Sequence, residues 1–167
     1  MARRLLKVAG PAWQAMVEKD PAMVNATMEK FGHPGTLVRD YEHWVALLRP
    51  SQVTLGSLVI AAKSDATAFG KLPAGAHAEL AVVTAGIEGA LSEVIGYERI
   101  NYLMLMMVDP HVHFHVFPRY AGTRSIEDVE VADAGWPGPP DLRSGVLLPP
   151  GPLARLTAQL TEILAIN

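Results

Sequence analysis

Apolar residues recur along this chain with two different periods, and the changes of period mark its elements. Across residues 11–30, Trp13, Met16, Val17, Met23, Val24 and Met28 fall roughly at helical spacing. Asp20-Pro21 interrupts them and can close one helix and open another. The run Phe31-Gly32-His33-Pro34-Gly35 ends that segment. Residues 36–48, with Leu37, Val38, Tyr41, Trp44, Val45 and Leu47, read as strand with a bend over 40–43. Leu58-Val59-Ile60-Ala61-Ala62 reads as a second strand, and residues 49–57 between the two carry the Pro and Gly of a connection.

The plainest helix follows Gly75. Leu80, Val83, Ile87, Leu91 and Val94 repeat at three- and four-residue intervals, and Gly96 stands where a C-terminal cap belongs. Residues 100–108 and 111–119 then read as paired strands, with Asp109-Pro110 as the punctuation of a hairpin. Beyond Gly122 the chain is rich in Asp, Gly and Pro, notably at 135–141, which predicts an ordered but irregular excursion. Residues 153–166 close the chain as an amphipathic helix, and no internal repeat is present.

Length and charge narrow the class. A chain of 167 residues is near single-domain size, so one domain over 1–167 is expected. Half its residues are apolar and 19% are charged, the balance of a soluble globular protein. A net charge of -3 supplies no positive field to gather a polymeric nucleic acid. The absence of cysteine excludes disulfides, thiolate metal sites and cysteine nucleophiles, and fits a cytoplasmic location. The basic opening is interrupted by Lys7, Gly10 and Pro11 before a signal-peptide core develops, and no run reaches the roughly 18 apolar residues of a membrane span.

Chemistry concentrates in one place. Three of the six histidines, His111, His113 and His115, alternate with Val112, Phe114 and Val116. Strand side chains point to opposite faces with period two, so the three rings line one face while the apolar partners enter the core. Unrelated surface histidines would not gather so closely. A zinc site is the stronger competitor, because imidazole is the commonest metal ligand. Alternate residues lie about 6.6 Å apart, so the outer rings stand about 13 Å apart at the backbone, awkward for three bonds of about 2.1 Å to one ion. A third use is nucleophilic: imidazole, with an ordinary pKa of about 6.5, attacks phosphorus without a separate activating base.

The run His111-Val112-His113-Phe114-His115-Val116-Phe117-Pro118-Arg119, with Ala121-Gly122 after it, resembles the signature of the histidine-triad superfamily and looks like its dinucleoside-polyphosphate hydrolase branch. The likeness extends more loosely over about residues 44–122, through strand, glycine-centred connection, strand, long helix and paired strands. It implies an α+β fold, an antiparallel sheet with the long helix packed on it, with a core over about 36–122, and a homodimer. It also implies that His113 attacks the α-phosphorus to give a covalent nucleotidyl-imidazole, later released by water. His111 and His115 would flank it, donating hydrogen bonds to phosphate oxygens or assisting the leaving group. The nucleotidyl-transferase branch typically has glutamine at the third position, so His115 favours hydrolysis. The implied substrates are dinucleoside polyphosphates, such as diadenosine tetraphosphate, or nucleoside phosphoramidates. No cofactor and no protein-bound metal is required at the triad, and magnesium would enter only on substrate phosphates.

Three positions depart from that pattern. Ser57 follows Gly56 where members often carry a fourth histidine, Met107-Val108-Asp109-Pro110 replaces a Gly-Gln-Ser/Thr-Val segment, and Arg49 stands where an acidic or amide residue grips the ribose. Arg49 can pair with a phosphate instead, and Arg119 can reach one from just past the triad strand. Arg49, Ser57 and Arg119 are accordingly the expected nucleotide-binding residues. The departures keep a second reading open, a catalytically weak nucleotide-binding protein that retains the triad.

Overall fold

The computed structural model describes residues 24–166. Most of the first helical stretch, residues 11–23, lies outside the described residues. What is described begins with a short helix, α1 (Ala26–Lys30), whose N-cap Asn25 accepts from the Met28 amide. Then come β1 (Leu37–Asp40), β2 (Trp44–Leu48), β3 (Ser51–Gln52), β4 (Leu58–Ala62) and the long α2 (Ala74–Ile95). The chain continues through β5 (Arg99–Leu103), β6 (His113–Arg119), β7 (Thr123–Ile126), β8 (Val129–Ala132), β9 (Val146–Leu147) and α3 (Pro150–Ile166).

Five strands form one antiparallel sheet in the order β1-β2-β4-β6-β5. The period-two alternation sorts its residues into two cores. Trp44, Ala46, Leu48, Leu58, Ile60 and Val116 pack towards Val83, Ile87 and Leu91 of α2 and Leu156 and Leu160 of α3. Each fully buried aliphatic side chain of this kind contributes about 1.5–3 kcal/mol. Trp44 adds a hydrogen bond from its indole Nε1 to the Ala76 carbonyl at 2.8 Å, which fixes α2 against β2. On the opposite face Val45, Leu47, Val59 and Ala61 meet Met28 and Phe31. β2 and β4 are buried on both faces, which is why they read as continuous apolar runs.

Gly96 caps α2 in the left-handed conformation, φ 63°, as its position predicts. Gly56 is needed for a different reason: its φ is +87°, and a Cβ there would stand 2.8 Å from Ile95 Cγ1. The turn before β4 can therefore lie flat on the end of α2.

Three expectations are corrected. Residues 36–48 are not one bent strand but an antiparallel pair, β1 and β2, joined over 41–43. The expected tight hairpin at Asp109-Pro110 is absent, because the N-terminal half of β6 pairs with β4 while β5 registers only with its C-terminal half, from Leu103↔His115 to Arg99↔Arg119. Val112 bonds Ala66 and Ala62 through its backbone, away from β5, so residues 104–112 loop out with Met107 and Val108 exposed. The excursion after Gly122 contains a regular hairpin, β7 with β8, and β9 returns to pair with β3.

Candidate active site

The apolar residues in and just before β6 decide where the histidines of β6 go. Val112 and Val116 join the core under α2, so His113, His115 and Phe117 must face the other way. A slip of one residue would drive the imidazoles into that core, which makes the register strongly specified. His113 lies opposite Ala61 of β4, and His115 opposite Val59 of β4 and Leu103 of β5.

His113 is wholly buried, 0% exposed. Its Nδ1 lies 2.7 Å from the His111 carbonyl oxygen. A carbonyl only accepts, so Nδ1 carries the hydrogen and donates it, and in the neutral ring Nε2 holds the lone pair. That Nε2 is buried and has no hydrogen-bond partner among the described residues. Such an orphaned atom requires an explanation, and chemically its lone pair is open to a donor or an electrophile arriving from outside the protein.

The neighbouring rings are fixed by contacts of their own. His115 meets His113 edge-on with centroids 4.9 Å apart and stacks on Phe117 at 6.1 Å, and its Nδ1 is also buried without a partner. Burial, then Arg49 and His113, push its pKa down to about 4. The unfolded ring, with a pKa near 6.5, binds a proton more readily than the folded one. The contribution of His115 to stability is therefore complete above about pH 6.5 and is lost as the pH falls towards 4. An NMR titration of the ring carbons should find His115 neutral at pH 6 with its midpoint near 4; a midpoint near 6.5 would contradict this.

The segment around α1 covers this face. Thr27 Oγ1 lies 3.1 Å from His111 Nδ1, Lys30 Nζ holds Asp109 at 2.7 and 2.8 Å, and Asn25 Nδ2 donates to the Ala62 carbonyl at 2.9 Å. Phe31 then lies over the rings, with centroids 5.9 Å from His113 and 5.5 Å from His115.

The three expected nucleotide-binding residues are placed differently from one another. Arg49 continues the Val45, Leu47 alternation past the end of β2, so it shares the triad face, with its guanidinium 5.6 Å from the Phe117 ring centroid. Burial alone lowers its pKa, and among the described residues no carboxylate pairs with it. Ser57 is buried, and its hydroxyl is used within its own turn, donating to the Thr54 carbonyl at 2.6 Å and accepting from the Thr54 amide at 3.0 Å. Arg119 is held by Asp133 through Nε at 2.6 Å and Nη2 at 3.0 Å, by Asn101 Oδ1 at 2.7 Å and by the Gly138 carbonyl at 2.9 Å. No hydrogen bond among the described residues joins Ser57 or Arg119 to the triad. Its place on β6 sets Arg119 about 20 Å from His113 along the strand.

Other supporting residues carry little signal in the sequence. Gln52 is fully buried and organises the turn before β4, accepting from the Gly56 and Ser57 amides at 2.7 and 3.0 Å and donating to the Ser57 and Arg49 carbonyls. It thereby fixes the backbone from which Arg49 projects. Phe31 and Thr27 follow an apolar helical pattern that gives no hint of the sheet face they cover. Among the described residues no three His, Asp or Glu side chains are placed to hold a metal ion, and no helix is long and apolar enough to cross a membrane.

The chain matches no protein-family model and no curated protein by sequence. Solved structures do match it. A histidine-triad protein from Bradyrhizobium japonicum aligns with a TM-score of 0.67 at 16% identity, over 84% of this chain and 96% of its own. A histidine-triad nucleotide-binding protein from Sulfolobus tokodaii aligns with a TM-score of 0.59 at 18% identity, over 78% and 84% respectively. A zinc-bound histidine-triad family protein from Mycobacterium smegmatis aligns with a TM-score of 0.54 at 19% identity, over 80% and 86%. At such identities the likeness is one of architecture, and the architecture is the α+β fold of the histidine-triad proteins.

Proposed function

We propose that the protein is a nucleotide phosphohydrolase that works through a covalent intermediate on His113, acting on nucleoside phosphoramidates or dinucleoside polyphosphates such as diadenosine tetraphosphate. The observation that carries this reading is the hydrogen bond from His113 Nδ1 to the His111 carbonyl, which leaves an orphaned lone pair on Nε2. Nε2 attacks the α-phosphorus, an N–P bond forms, and the bond to the amine or phosphate leaving group breaks with its electron pair. His115, neutral at pH 7, offers a ring N–H to a phosphate oxygen, and His111 stands beside the leaving group as proton donor. Water then cleaves the N–P bond, releasing the nucleoside monophosphate and restoring the ring. No cofactor takes part, and magnesium acts only on substrate phosphates.

His113 is completely covered, so phosphorus reaches Nε2 only when Phe31 and the α1 segment draw back from the rings. The same covering favours the second reading, a nucleotide-binding protein with weak turnover. Among the described residues β5 forms an edge of the sheet with no strand on its outer side, which suits a homodimer formed by strand addition. A cytoplasmic protein acting on small nucleotides fits this picture.

Purified protein given adenosine 5′-phosphoramidate in the presence of EDTA should release AMP at an undiminished rate. Binding without AMP release supports the second reading. Stoichiometric zinc in the protein, with activity lost on chelation, would replace both with a metal mechanism.

A further inference from the structure

Among the described residues, one charge on the triad face has no counterpart. Arg49 is half-buried, its guanidinium lies over Phe117, and burial is the only influence on its pKa. Asp109, at the start of the triad segment, is already held by Lys30. A guanidinium taken partly out of water without a carboxylate is costly to keep, and an incoming anion removes that cost. Two further polar atoms on the same face, His113 Nε2 and His115 Nδ1, are buried and have no hydrogen-bond partner among the described residues. The three groups lie along one line, because His113, His115 and Phe117 are successive residues on one side of β6.

Their spacing separates them by task. The His113 and Phe117 rings flank His115, with centroids 4.9 and 6.1 Å from it, and Arg49 lies over the Phe117 ring, so its guanidinium sits on the side of His115 away from His113, one step along the face from the phosphoryl that His113 attacks. Resting on the hydrolase reading above, we propose that Arg49 forms a second anion subsite, which selects nucleotides carrying a phosphate in addition to the one that His113 attacks. The planar guanidinium suits two oxygens of such a phosphate at once. Gln52 steadies the subsite by holding the Arg49 carbonyl.

The second phosphate can sit on the sugar or on the phosphate chain, and calorimetric titration separates the two. Wild type, Arg49→Ala and Arg49→Lys are titrated with AMP, ADP and adenosine 3′,5′-bisphosphate in EDTA, with each variant's unfolding curve checked first. Wild type should bind either ADP or the 3′,5′-bisphosphate about 10- to 100-fold more tightly than AMP, the size of one charge-assisted contact. That ratio should fall towards one in Arg49→Ala and be partly restored in Arg49→Lys. Tighter ADP places the second phosphate on the chain, and tighter 3′,5′-bisphosphate places it on the sugar. Equal affinity for all three ligands in wild type, or a ratio that survives Arg49→Ala, overturns the subsite while leaving the hydrolase reading intact. Failure of all three to bind overturns both.

Discussion

Substituting His113 by alanine should reduce turnover of a nucleoside phosphoramidate by at least about 1,000-fold, because the covalent route disappears with its nucleophile. Uncatalysed attack by water remains, assisted only by the phosphate contacts of the neighbouring rings. His111→Ala and His115→Ala remove assistance rather than the attacking atom and should cost less, about 100-fold each. The His113 ring is packed between Phe31 and His115, so its removal also leaves a cavity, at a stability cost of about 2 kcal/mol. Activity is therefore compared well below the midpoint of thermal unfolding, with nucleotide binding measured on the same sample. Retained binding with lost turnover is the expected pair of results. Undiminished turnover would remove His113 from the chemistry.

The largest effect on stability lies far from the triad. Asp133→Ala should destabilise the fold by about 3–5 kcal/mol, read as a lower urea midpoint with an unchanged slope. The reason is the state in which it leaves Arg119. The two side chains are 4% and 1% exposed and joined at 2.6 Å, and Asp133 also accepts from the Tyr120 and Gly135 amides at 3.3 and 3.2 Å. Alanine would strand a buried guanidinium and two amides together. A loss below about 1 kcal/mol would mean that water or Asn101 takes over the charge. Hydrolysis by the folded fraction should be unchanged, which separates this pair from the site.

How legible these features are in the sequence depends on whether the signal is local. The face of β6 that carries the histidines follows from alternation with Val112 and Val116, and α2 follows from its three- and four-residue spacing and Gly96. Both patterns report which way a residue points relative to its own element. They do not report which element lies across from it. Asp109-Pro110 looks like a hairpin turn in isolation, yet β6 enters the sheet beside β4, and β5 meets it only later. Ser57 and Arg119 have the right chemistry near the right strand, but Ser57 is used within its own turn by Thr54, and Arg119 is held by Asp133, which the fold draws in from 14 residues away. Phe31 shows the same limit from the other side: nothing in Lys30-Phe31-Gly32 says that its ring closes over His113.

During turnover the lone pair on His113 Nε2 should form a bond to phosphorus. Quenching wild-type protein during steady turnover of adenosine 5′-phosphoramidate, followed by peptide mass spectrometry under conditions that preserve N–P bonds, tests it directly. A nucleotidyl group is expected on His113, forming more slowly in His111→Ala protein than in wild type. Turnover with the nucleotidyl group on another residue, or with no enzyme-bound nucleotide at any time, would contradict it.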